Sequence, residues 1–238
     1  MNIALIGYGK MGKEIEQILL HRGHHITLRS TRSTPFAAAD LLGTDVAIEF
    51  TEPHSAVDNI LKCFDAKVPV VVGTTGWYAR MPEAKEACAR MQGGLFTASN
   101  FSIGVNVVFQ VNRMLARIMS DLDEYNPSME EIHHTAKKDA PSGTAITLAV
   151  GILESYPTRS VWINEATEDA DKIGIVSHRE GEVPGTHIIR YTSAVDEIQL
   201  VHQAFNRKGF ALGAVKAAEF MNGKRGVFGM DELLGTGY

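Results

Sequence analysis

The chain has 238 residues, 45% of them hydrophobic and 21% charged, and 23 basic against 28 acidic side chains leave a net charge of −5. These values exclude general disorder, and an acidic surplus without a basic block argues against nucleic acid as the partner. No apolar run approaches the roughly 20 residues of a membrane span, so no membrane association is expected. MNIALIGYGKMG lacks the zones of a secretory leader. Cys63 and Cys88 are the only cysteines and sit in helix-like stretches, which fits a reduced, cytoplasmic setting better than a disulfide or zinc framework.

The first hundred residues alternate apolar runs with amphipathic stretches. Strands are expected at Met1–Ile6, Ile26–Leu28, Asp45–Phe50, Val68–Val72 and Leu95–Ala98. Helices are expected at Lys13–Arg22, Ser55–Phe64 and Pro82–Met91. That alternation predicts a parallel sheet covered by helices on both faces. From Gly104 the pattern changes. A helix over Val107–Met119, a strand over Met129–His134 and a helix over Thr144–Leu153 precede a β-rich stretch, Lys172–Phe205. Within it, Thr186–Tyr191 and Glu197–Val201 read as an antiparallel hairpin. An Ala-rich helix, Phe210–Met221, closes the pattern. Two domains of different class are expected: residues 1–104 with 208–238, and residues 105–207. Hinges are expected near Ser102–Gly104 and Arg207–Gly209.

Gly7, Gly9 and Gly12 form GxGxxG at the first strand-to-helix turn. There the glycines permit a tight turn, close approach of a pyrophosphate and close helix packing, and the helix N-terminus offers its N–H groups to the phosphates. A ligand-free glycine turn is the bland alternative. The end of strand two carries no acid; none occurs between Glu16 and Asp40. A carboxylate there would bind a ribose 2′-hydroxyl, whereas Arg32, with Ser30, Thr31 and Lys10 nearby, suits a 2′-phosphate. NADPH is therefore favoured, with NADH as the alternative. Ordinary solvated surface is the bland reading of Arg29 and Arg32. Gly73, Thr74 and Thr75 follow strand four, and Ala98, Ser99, Asn100 and Phe101 follow strand five. These are carboxyl ends of strands, where ligands of open α/β sheets sit, although turn chemistry also explains such residues.

The densest polar stretch is EIHHTAKKDAPSGT, residues 131–144. In a strand, His133 and His134 point to opposite faces. A histidine suits proton transfer near neutral pH, and Lys137 supplies a cation or a proton. Ser142, Gly143 and Thr144 open a helix whose N–H groups suit a carboxylate, or are simply capped. Adjacent histidines chelate poorly, so no metal is expected.

GYGKMG, EFTEP, VVGTTG, ASNFSIGVN, EIHHTAKKDAPSGTA and GTHIIRYTSAVDEIQLVHQAFNRKGFALGAVKAAEF, in this order, resemble the 4-hydroxy-tetrahydrodipicolinate (dihydrodipicolinate) reductase family nearly end to end. The resemblance implies an N-terminal Rossmann-type doubly wound parallel sheet and a C-terminal α+β domain whose mixed or antiparallel sheet builds a homotetramer. It implies NAD(P)H-dependent reduction of a cyclic imine dicarboxylate in lysine and diaminopimelate biosynthesis. His133 and Lys137 would be catalytic, and His134, Gly143 and Thr144 would contact substrate. The cofactor would touch Gly7, Tyr8, Gly9, Lys10, Met11 and Gly12, then Gly73–Thr75 and Ala98–Phe101. The family often carries an acid where this chain has Thr31, a departure that favours NADPH through Arg32. Two other readings share the first domain: a dehydrogenase of amino acids or sugars, and a non-catalytic nucleotide sensor. HHTAKKDAPSGT argues against both.

Overall fold

The computed structural model describes residues 1–206 and 208–236. The chain divides into two compact units, Met1–Ile103 with Lys208–Tyr238, and Gly104–Arg207. Of the second expected hinge, Arg207 lies outside the described residues.

Strands and helices are numbered along the chain. The first unit holds β1 (Asn2–Ile6), α1 (Lys10–His21), β2 (His25–Ser30), β3 (Val46–Glu49), α2 (Pro53–Asp65), β4 (Val70–Val72), α3 (Met81–Met91) and β5 (Gly94–Thr97). The sheet order is β11-β5-β4-β3-β1-β2, every pair parallel, with β11 (Gly226–Phe228) at one edge. Alternate strand residues build two layers. Ala4, Ile6, Ala47, Val70 and Val72 meet α2 and α3 on one face. Ile3, Leu5, Val46, Ile48 and Val71 meet Ile15 and Leu19 of α1 and the alanines of α6 (Lys208–Met221) on the other. The strand order reverses around β1 and β3, which opens a crevice beyond their carboxyl ends.

The second unit carries a five-stranded mixed sheet, β10-β9-β6-β8-β7. Its strands are β6 (Asn126–His133), β7 (Val161–Ile163), β8 (Lys172–Arg179), β9 (Gly185–Thr192) and β10 (Glu197–Ala204). β9 runs antiparallel to β6 and β10, while β8 runs parallel to β6 and β7. Met129, Ile175, Ile189 and Tyr191 share a core with Val105, Phe109 and Ala116 of α4 (Ile103–Met119) and Ala145, Leu148 and Ile152 of α5 (Gly143–Leu153).

Several boundaries differ from the sequence expectation. α1 starts at Lys10, so Lys10, Met11 and Gly12 form its first turn, and β2 extends to Ser30. β7, β11 and a short final helix, α7 (Met230–Leu234), carry no readable periodicity because each spans at most five residues. The second-unit sheet is mixed, as expected, with β8 entering beside β6 in parallel. Among the described residues no helix is long and apolar enough to cross a membrane.

Candidate functional site

In the first unit a cavity of about 680 Å³ lies beyond the ends of β1, β2 and β3. Gly7, Tyr8, Gly9, Ser30, Thr31, Arg32, Phe50, Thr51 and Glu52 are among its walls. The loop that forms it is held from below, because the Gly7 and Tyr8 N–H groups both donate to the Ser30 carbonyl at 3.0 Å. Gly7 has φ +96°, and a Cβ there would lie 1.9 Å from the Phe50 carbonyl oxygen. Gly9, the residue before α1, gives that helix no side-chain cap, and a Cβ on it would meet nothing within 4 Å. Open backbone at an uncapped helix start fits a pyrophosphate, so the residues present suit a dinucleotide.

The three polar groups around β2 divide their work. Buried Glu16 accepts hydrogen bonds from Tyr8 and from Arg29, whose Nε lies at 2.7 Å. Those bonds hold Glu16 below the usual carboxylate range and commit Arg29 to structure. Arg32 stays on the cavity wall, its side chain 81% exposed, and pairs with Glu52.

The remaining predicted cofactor residues do not line this cavity. Lys10 is exposed and Met11 half-buried, while Gly12 packs under the loop, where a Cβ would approach the Gly7 carbonyl to 2.4 Å. Gly73, Thr74 and Thr75 follow β4, and the Thr74 hydroxyl accepts the Thr51 N–H at 2.7 Å. Ala98, Ser99 and Asn100 follow β5 at the same sheet edge, with Asn100 Oδ1 accepting the Ser102 N–H. Phe101 is buried, its ring 5.7 Å from Phe50 and 5.9 Å from Phe96, so its side chain is core.

In the second unit the alternation of β6 carries Met129, Glu131 and His133 to one buried face. Sheet register then assembles a polar row, with His202 opposite His187, His187 opposite Glu131, and Glu131 opposite Ser177. His133 stands beside Arg179 in the neighbouring row. Its Nδ1 is 3.4 Å from Glu131 Oε2, and its ring lies 5.1 Å from that of His187. Burial pushes the His133 pKa below its ordinary value; Glu131 opposes that, while Lys137 and Arg179 add to it. His134 is half-buried. Lys137 donates to both Asp139 oxygens at 2.8 Å. The Asp139 carbonyl accepts from Arg179 at 2.6 Å. Ser142 caps α5 through the Ala145 N–H, and Gly143 is exposed at the helix start with Thr144 next to it.

Glu131, His133 and His187 bring three candidate ligand atoms within 4.8 Å of one another. The Arg179 guanidinium and the Ser142 N–H already donate to the same carboxylate, so Glu131 is paired with a resident cation. Burial, with His133 adding to it, lowers the His187 pKa to about 4. The unfolded chain therefore takes up this proton more readily. The resulting stability is complete above about pH 6.5 and is lost as pH falls toward 4, on the order of 3 kcal/mol. Urea unfolding at pH 7.5 and 5 checks this: His187→Gln should flatten the pH dependence, and a slope equal to that of the unaltered protein would refute it.

The family model for the dihydrodipicolinate reductase N-terminus matches residues 1–101, and that for its C-terminus matches residues 104–234. The chain belongs to the dihydrodipicolinate reductase family. It is 46% identical over 235 residues to the 4-hydroxy-tetrahydrodipicolinate reductase of Christiangramia forsetii, covering 98% of each chain. It is 38% identical to the enzyme of that name from Methanoregula boonei, over 80% of this chain and 75% of the other. In fold it is similar to the dipicolinate-bound dihydrodipicolinate reductase of Paenisporosarcina sp. TG-14, with a TM-score of 0.80, 20% identity and 98% of each chain covered. Sequence reasoning about this family member missed Glu52, Glu131, Arg179 and His187. The EFTEP motif pointed toward Glu52. Glu131 shares a face of β6 with His133 through strand alternation, and Arg179 and His187 become its neighbours only through strand pairing.

Proposed function

We propose that this member of the dihydrodipicolinate reductase family reduces 4-hydroxy-tetrahydrodipicolinate to tetrahydrodipicolinate in lysine and diaminopimelate biosynthesis. The observation that carries the reading is the second-unit cluster: a buried imidazole, Arg179 and the opening of α5 gathered around the Glu131 carboxylate, with Lys137 held beside them by Asp139. The first-unit cavity, with its open glycine backbone, supports a dinucleotide, which would supply the hydride when bound. Gly7–Gly12 would hold its phosphates, and Gly73–Thr75 with Ala98–Phe101 would border it along the sheet edge.

The chain's own groups then do the rest. The N–H groups opening α5 at Gly143 and Thr144, with His134 nearby, would orient one substrate carboxylate. Lys137 would face the negative charge that grows on the ring nitrogen and its neighbouring carbon as the hydride arrives, where a preorganised cation is most effective. His133 or Lys137 would deliver the proton that completes the two-electron reduction of the conjugated ring, which forms when the substrate's 4-hydroxyl group leaves as water.

NADPH is the favoured cofactor on this reading and NADH the alternative. Arg32 would exchange Glu52 for the 2′-phosphate, and the adjacent carboxylate tempers the preference. Absorbance loss at 340 nm, with substrate formed in situ from pyruvate and aspartate semialdehyde by the preceding synthase, tests both points. Turnover with folded protein is expected, and Arg32→Ala should raise KM for NADPH roughly tenfold while leaving that for NADH nearly unchanged. No turnover with either nucleotide would refute the reductase reading; equal effects of Arg32→Ala on both would refute the role of Arg32.

The two cysteines are free and buried, which supports a cytoplasmic setting. A homotetramer is supported by β10, an edge strand in which Ile198 and Val201 are 38% and 49% exposed.

A further inference from the structure

A carboxylate on a central strand, with no exposed surface, is unusual among strand residues and needs compensation for its lost hydration. Glu131 has it from three sides. Its Oε1 accepts from the Ser142 N–H at 3.0 Å, the Ser177 hydroxyl at 2.9 Å and Arg179 Nη2 at 3.2 Å. Its Oε2 accepts from the Ser142 N–H at 3.1 Å and faces His133 Nδ1 at 3.4 Å and His187 Nε2 at 3.8 Å. Each contact reaches a different part of the site. Ser142 is the cap of α5. Arg179 continues to the Asp139 carbonyl, and the Asp139 carboxylate holds Lys137.

We propose that Glu131 is the positioning residue of this site, orienting His133 while fixing the start of α5 and the Lys137 loop in register with it. The inference rests on the reductase reading above. A carboxylate beside Nδ1 draws the Nδ1 proton toward itself, which selects one tautomer and leaves Nε2 to exchange a proton with substrate. The Nδ1 is buried and has no hydrogen-bond partner among the described residues. Such contacts commonly tighten when substrate arrives. The groups facing His133 are Glu131 and Asp139, which favour its charged form, and Lys137, Arg179 and His187, which oppose it. Glu131 thus partly offsets burial and the neighbouring cations, which together hold the His133 pKa down. The start of α5 is held by the same oxygens that face His133, and the Lys137 loop is tied to them through Arg179.

The test compares full-length E131Q with the unaltered protein in three measurements: ¹⁵N NMR titration of the His133 imidazole, calorimetric binding of pyridine-2,6-dicarboxylate, and steady-state kinetics. The expected result is a His133 titration displaced to lower pH, weaker dicarboxylate binding and kcat lower by on the order of tenfold or more, with KM for the nucleotide unchanged. A folded E131Q with an unmoved His133 titration overturns the proposal, as does a kcat loss accompanied by an equal loss of nucleotide affinity. Should E131Q not fold, E131D retains the charge but withdraws it by one methylene. It should then show the same displacement in smaller measure, and none would overturn the proposal. Failure of the reductase reading is separate: it appears as absent turnover in the unaltered protein, while the titration still reports on Glu131.

Discussion

Replacing His133 with alanine is expected to lower kcat on the order of 10²- to 10⁴-fold while nucleotide affinity stays unchanged, the effect of removing a positioned proton donor. His133 is buried on the same face of β6 as Glu131. Truncating it therefore also leaves the carboxylate without an imidazole partner at 3.4 Å. On the proposed function, nucleotide affinity would be set by the glycine loop of the first unit, which His133 does not belong to. The pH profile separates the two candidate donors. Burial places the His133 pKa below its ordinary value, so a rate that needs its protonated form declines as pH rises through and beyond that value. A kcat that does not follow this decline would point to Lys137 as the donor instead. Steady-state kinetics from pH 5 to 9, with nucleotide binding followed by fluorescence, give both answers. Unchanged kcat in folded His133→Ala would remove His133 from the mechanism.

The second large effect belongs to Gly7. Its positive φ already disfavours any side chain, and an added Cβ would lie 1.9 Å from the Phe50 carbonyl oxygen and 2.5 Å from its carbon. The obstacle is backbone. Phe50 cannot retreat without breaking its N–H bond to the Ile6 carbonyl at 2.8 Å, which ties β1 to the loop after β3. Gly7→Ala should therefore destabilise the protein by about 3 kcal/mol or more and abolish measurable nucleotide binding. In a chain of this size that corresponds to a fall of roughly 6–12 °C in Tm. Gly9→Ala is the contrast. Its Cβ meets no atom within 4 Å, so Tm should hold while nucleotide affinity falls, because the methyl occupies the space proposed for the pyrophosphate. Equal Tm losses in the two variants would show that the loop's glycines serve folding alone.

These two predictions draw on different kinds of information. Gly7 stands out in the sequence because a glycine at the first strand-to-helix turn solves a local problem of backbone angle and clearance, and the neighbours on either side announce the turn. The doubly wound half was legible for a similar reason. Val70–Val72 is a buried β-branched run, and Ile15 and Leu19 recur at helical spacing; burial follows from those local patterns. His133, Lys137 and the start of α5 were also legible, because one strand, turn and helix carry them all. The elements that escaped were β7, β11 and α7, too short to show a period, with pairings decided by distant partners such as Leu95 opposite Val227.

By itself, then, the sequence determined the layered parallel half, the glycine loop and the polar segment from Glu131 to Thr144, since each is written within a dozen or so neighbouring residues. Tertiary structure alone decided how those residues are equipped. Glu52 reaches Arg32 across 20 positions, and Arg179 and His187 reach Glu131 across 48 and 56. Sheet register, which is a long-range property, sets both contacts to Glu131. It also decides that a glutamate on a strand, unremarkable in the sequence, becomes the buried charge around which the second unit's polar cluster is arranged.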